Sequence, residues 1–134
     1  TRSVYFEVQM PHSWVGGTSK IYPHVHWAPT TTNTGTCRWV FEYTWVDING
    51  TFGTSTTYVM DGAASSGTAW KHYIVGAGGI TPSGTQGGVS TMMICRLYRE
   101  GGNAADTYTG NACLIAFDIH FEKDTEGSRT EFTK

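Results

Sequence analysis

Charge is scarce in this chain. Only 15% of its 134 residues are Asp, Glu, Lys or Arg, and the formal net charge is −2, so there is no electrostatic footprint for nucleic acid or an anionic membrane. Long apolar runs are missing too: nothing approaches the length of a membrane span, and the opening resembles no signal peptide. Leucine is scarce and no window carries a sustained 3.6-residue apolar stripe, which argues against a helical core. Cysteine is limited to Cys37, Cys95 and Cys113, an odd number with wide spacing. Each sits in an apolar alternating run, where free cysteine behaves as a small hydrophobe. Three reduced thiols fit assembly in a reducing cytoplasm better than a disulfide-stapled secreted module. The chain starts at Thr1 without an initiator methionine and enters a strand-like pattern at once, which predicts that a preceding segment was removed.

What is present is glycine (17 residues), threonine throughout and 13% aromatics, the mixture of short strands joined by tight turns. A 14.7 kDa chain fits one domain over residues 1–134, able to bury roughly two thirds of its unfolded surface without disulfides. Residues 3–10 alternate Val4, Phe6, Val8 and Met10 against Tyr5, Glu7 and Gln9, a strand with one buried face. A second strand spans residues 20–27. Residues 37–47 are the cleanest, with Trp39, Phe41, Tyr43 and Trp45 on one face. Asn49-Gly50 then predicts a type I′ hairpin returning over residues 51–60, followed by a loop over residues 61–67. Further strands fall at residues 70–75, 89–99 and 111–122, the last with Cys113, Ile115, Phe117, Ile119 and Phe121 on one face, before a polar tail over residues 122–134. About seven or eight strands with no covering helix predict an all-β fold, an antiparallel β-sandwich of jelly-roll type.

The His24-Val25-His26 stretch puts two imidazoles on one face of a strand, a spacing that suits metal chelation. A cupin-type site also wants a glutamate shortly after the second histidine, yet Trp27-Ala28-Pro29-Thr30 follow. His12, His72 and His120 complete a site only if the fold brings them close, so a structural role outranks a metal here. A metal-dependent cupin-like enzyme is a distant third reading. No Gly-x-Ser-x-Gly elbow occurs, and the cysteines stand beside no histidine. Glu7, Glu42, Asp118 and Glu122 are the ordinary carboxylates of solvated strand faces rather than a glycosidase pair. The glycines at 76, 78, 79, 87 and 88 precede no helix and so form no phosphate loop. Asn49-Gly50-Thr51 matches a glycosylation sequon and is read as a turn. These readings give no catalytic, cofactor-binding or metal-ligating residue. Five tryptophans, Trp14, Trp27, Trp39, Trp45 and Trp70, exceed what a small core usually needs, which leaves room for a carbohydrate-binding surface or a subunit interface.

The segments VQMPHSWVGGT, YPHVHWAP, WVFEYTWVDING, VSTMMICRLYRE and DTYTGNACLIAFDIHFEKDTEGSR, in this order, resemble a family of small proteins encoded among the virion structural genes of tailed bacteriophages. The resemblance implies a non-enzymatic capsid decoration (cement) protein on the particle exterior, assembled in the host cytoplasm. It also implies a homotrimer that contacts the major capsid protein and needs no cofactor, nucleic acid or membrane. The interface candidates are Trp14, His24, His26, Trp27 and Arg96. The alternative is a head or tail fibre domain that binds carbohydrate or a host receptor through loops 28–36, 61–69 and 100–110.

Overall fold

The alternating run around Trp39 sets the frame of the molecule. In the computed structural model, which describes residues 2–133, this run is strand β3 (Thr34–Val46), and Trp39, Phe41, Tyr43 and Trp45 all face the core. The other strands are β1 (Ser3–Gln9), β2 (Ile21–Pro29), β4 (Thr56–Ser66), β5 (Tyr73–Val75), β6 (Met92–Arg99) and β7 (Ala112–Phe121). Among the described residues no helix forms. All pairings are antiparallel, in a four-stranded sheet of order β1-β6-β3-β4 and a three-stranded sheet of order β5-β2-β7. Their inner faces enclose the core, where Phe41 stacks on Tyr43 and meets Phe117 from the opposite sheet at 4.8 Å between ring centroids. The antiparallel β-sandwich expected from alternation is what the chain adopts.

The strand order has a further property. A jelly roll has eight strands in two sheets; lettered B to I, these run B-I-D-G and C-H-E-F. Reading β1 to β7 as C to I reproduces the second sheet in full and the first as I-D-G. The place of strand B, beside β7 and facing β1, is vacant among the described residues.

Four local expectations are corrected. Asn49-Gly50 does not form a two-residue type I′ hairpin: Asn49 has φ 64° but Gly50 is not at positive φ, and the Gly50 N–H donates to the Asp47 carbonyl at 3.0 Å. Asn49 is thus the third residue of a turn opened at Asp47. Asp47 is held elsewhere, donating its N–H to the Thr85 carbonyl at 2.9 Å and accepting from the Gly88 N–H at 2.8 Å. The return strand therefore starts at Thr56 and runs on through the expected loop, helped by Gly62 at φ 111° where the β3–β4 register shifts. In β7, Ala116 pairs with His26 but Leu114 with Trp27. Ile115 is the extra residue of a β-bulge, which reverses the phase of the strand. Leu114 and Ala112 turn toward the core while Cys113 and Ile115 are exposed. The strand expected from residue 70 begins only at Tyr73, because Trp70 takes φ 62°.

The bulge makes a test available. Cys37 and Cys95 are buried, and burial pushes both thiols up to about 12, whereas Cys113 is exposed. One thiol per chain should react rapidly with a maleimide under native conditions and three in denaturant, with the native label on Cys113. Fast labelling of Cys95 would contradict the sandwich.

Candidate functional site

On β2, Ile21, Pro23, Val25 and Trp27 point into the core, so Tyr22, His24 and His26 point out. Register does the rest: β7 runs antiparallel beside β2 and places Asp118 directly opposite His24, and His120 opposite Tyr22. The Asp118 carboxylate is thereby ringed by three imidazoles. Its Oδ1 lies 3.6 Å from His24 Nδ1, and its Oδ2 lies 3.3 Å from His26 Nε2 and 3.4 Å from His120 Nε2. A fourth imidazole joins from the approach to β5, with His72 Nε2 at 2.7 Å from His26 Nδ1. One of those two nitrogens must lack a proton, and with His72 donating, His26 is left to donate from Nε2 to Asp118. Burial, reinforced by the neighbouring His120, lowers the pKa of His24 below its ordinary value, so its ring is neutral and available as a donor atom at neutral pH. His24, Asp118 and His120 each offer one ligand atom, all within 4.8 Å of one another.

His12 is not part of this cluster. Its ring bridges the hydroxyls of Ser90 and Ser128 at 2.5 Å each, tying the C-terminal tail to the turn after β1.

The second feature is the vacant strand place. The grooves along it, of about 680 and 360 Å³, lie between β1 and β7. Val4, Phe6 and Val8 form one wall and Leu114, Phe117 and Ile119 the other, all of them only partly covered or exposed. The inner face of the four-stranded sheet is thus uncovered where the three-stranded sheet stops.

The interface candidates separate into two groups. His24, His26 and Arg96 are at the surface, Arg96 lying between the Tyr5 and Tyr98 rings and pairing with Glu42 at 3.2 Å. Trp14 and Trp27 are not: both are core residues, with Trp27 wholly buried against Tyr73 and Tyr108. Alternation explains the correction, because a residue next to an outward His26 must face inward. Of the three loops, residues 100–110 are firmly held: Arg99 donates to both carboxylate oxygens of Asp106 and to the Gly110 carbonyl at 2.7 Å.

The four carboxylates do not converge. Glu7 and Glu42 stand on the outer side of one sheet, while Asp118 and Glu122 belong to the other, so no pair of them from opposite sheets can flank a glycosidic bond. Glu42 is instead held ionised by the Ser55 hydroxyl at 2.7 Å, with Arg96 adding to it. Comparison with protein-family models, curated proteins and solved structures finds no match to this chain. Function must therefore be argued from these surfaces.

Proposed function

We propose that this chain is a non-enzymatic structural protein of a tailed-bacteriophage virion, a decoration (cement) protein that coats the capsid exterior as a homotrimer beside the major capsid protein. The sequence resemblance carries the setting, and the observation that supports the role is the apolar groove between β1 and β7, walled by Val4, Phe6 and Val8 on one side and Leu114, Phe117 and Ile119 on the other. A further stretch of polypeptide laid along β7 would supply backbone hydrogen bonds to its open edge while its alternate side chains fill the groove. In a trimer each protomer receives this cover from the next, a head-to-tail contact that closes on itself.

Light scattering on the purified protein tests the reading. A mass three times 14.7 kDa is expected, falling to one times that value for Val4→Asp at an exposed position of the groove wall and unchanged for Tyr5→Ala outside it. A monomeric wild type at high micromolar concentration would overturn the trimer.

One observation favours the fibre reading as second choice. Trp70 is 66% exposed at φ 62°, pinned by its backbone N–H to the Pro29 carbonyl at 2.7 Å, so an indole is presented beside the end of β2. Exposed indoles stack on sugar faces. Glycan binding that Trp70→Ala removes would support that role.

A further inference from the structure

We propose that His24, Asp118 and His120 bind a divalent transition-metal ion of the zinc class on the outer face of β2 and β7. Distances carry the first part of the argument. His24 Nδ1 to Asp118 Oδ1 is 3.6 Å and His120 Nε2 to Asp118 Oδ2 is 3.4 Å, both longer than an ordinary hydrogen bond of about 2.7–3.2 Å. The first is close to the donor-to-donor edge of a tetrahedron, roughly 3.4 Å for bonds of about 2.1 Å, and His120, which reaches the other carboxylate oxygen, completes a set in which one ligand atom from each residue lies within 4.8 Å of the others.

Unmet valence carries the second part. His24 Nδ1 and Asp118 Oδ1 are both shielded from solvent and neither has a hydrogen-bond partner. Two buried polar atoms facing each other unpaired cost stability. A cation between them satisfies both at once.

The frame is rigid and the carboxylate is oriented. His24 and Asp118 are direct cross-strand partners, and His26 faces the small Ala116, so no bulky side chain at that position covers the site. Gly76 lies against the His24 ring so closely that a Cβ there would come within 2.6 Å of Cδ2. That glycine is what lets the turn after β5 close on the imidazole. His26, itself hydrogen-bonded to His72, steadies Asp118 from its other side, the supporting contact that metal-ligating carboxylates commonly have. Two imidazoles and one carboxylate select zinc-like ions over calcium or magnesium, which take oxygen donors. Three ligands leave one position open, on the side where His120 is exposed, for water or an oxygen atom from outside the chain.

The site stands independently of the virion reading. The test is calorimetric titration of Zn²⁺ into the chelator-treated full chain, with Co²⁺ as a visible-absorption reporter of tetrahedral geometry. One equivalent binding at micromolar Kd or tighter is expected. His120→Ala, at an exposed position, and Asp118→Asn should each weaken it by at least about a hundredfold, whereas His72→Ala, acting only through His26, should weaken it by about tenfold. His12→Ala should leave it unchanged. Far-ultraviolet circular dichroism confirms that each variant is folded. Millimolar binding by the wild type, or tight binding that survives both His120→Ala and Asp118→Asn, would overturn the assignment.

Discussion

Asp106→Ala should lower the stability of the fold by about 3 kcal/mol, read as a lower urea midpoint at unchanged slope. The Asp106 side chain is 1% exposed and meets the Arg99 guanidinium at 2.5 and 2.8 Å, while a third hydrogen bond comes from the Arg38 N–H at 2.9 Å. Removing the carboxylate takes from the Arg99 guanidinium its charged partner, leaving it only the Gly110 and Tyr108 carbonyls, and leaves the part-buried Arg38 N–H without an acceptor. Breaking one side of such a pair costs more than the pair itself contributes. The loop then loses its anchor, and with it Tyr108, whose ring lies on Trp27 and whose hydroxyl hydrogen-bonds Thr31 Oγ1 at 3.0 Å. The effect also has a pH signature. Burial opposes the Asp106 charge, but the hydrogen bonds from Arg99 and Arg38 outweigh it and hold its pKa below the ordinary value. The native state therefore binds fewer protons than the unfolded chain as pH falls below the unfolded carboxylate value of about 4, so the contribution is complete above that pH and lost below it. The stability gap between wild type and Asp106→Asn should be constant near neutrality and shrink in acid. A gap that widened in acid would refute the pairing.

Trp27→Ala should cost about 4 kcal/mol in the same measurement. Its indole is fully buried, stacked on Tyr73 at 5.3 Å and tilted against Tyr108 at 5.7 Å, so truncation opens a large cavity under both. The size of the effect separates a core residue from an interface residue. At an interface the loss would appear in subunit dissociation while protomer stability stayed within about 0.5 kcal/mol. Denaturation of the protein at concentrations spanning any association equilibrium distinguishes the two.

Much of the fold was legible because apolar residues recur at every second position through β1, through β2 up to Trp27 and through β3 from Trp39 to Trp45. The outward pairing of His24 and His26 was equally plain. What local pattern could not reveal was the phase of β7, since a bulge inserts Ile115 where strict alternation would place a core residue. The turn at Asn49 was misread for a related reason: Asp47 is claimed by Thr85 and Gly88, residues far along the chain. The histidine cluster was half visible. His24 and His26 announce one strand face, but Asp118 and His120 join them through a pairing that spans more than ninety residues, and His72 arrives from a third strand's approach. Nothing in the run around residue 118 marks it as the neighbour of residue 24. The expectation of Trp27 at an interface runs against its place next to His26, which puts it on the buried side.

The crossed strand order also governs when the chain can fold. Among the described residues β3 and β4 are the only sequence neighbours that pair; β1 waits for β6, and β2 for both β5 and β7. Each of those pairings closes a large loop before any apolar burial rewards it, which places the protein among slow folders on the scale of milliseconds to seconds. A nascent chain emerging from the ribosome can form the β3–β4 hairpin early, yet it exposes the apolar faces of β1 and β2 until residues beyond 112 are free. Folding therefore waits for β7 to emerge, and a chain cut short of it is the species most exposed to aggregation.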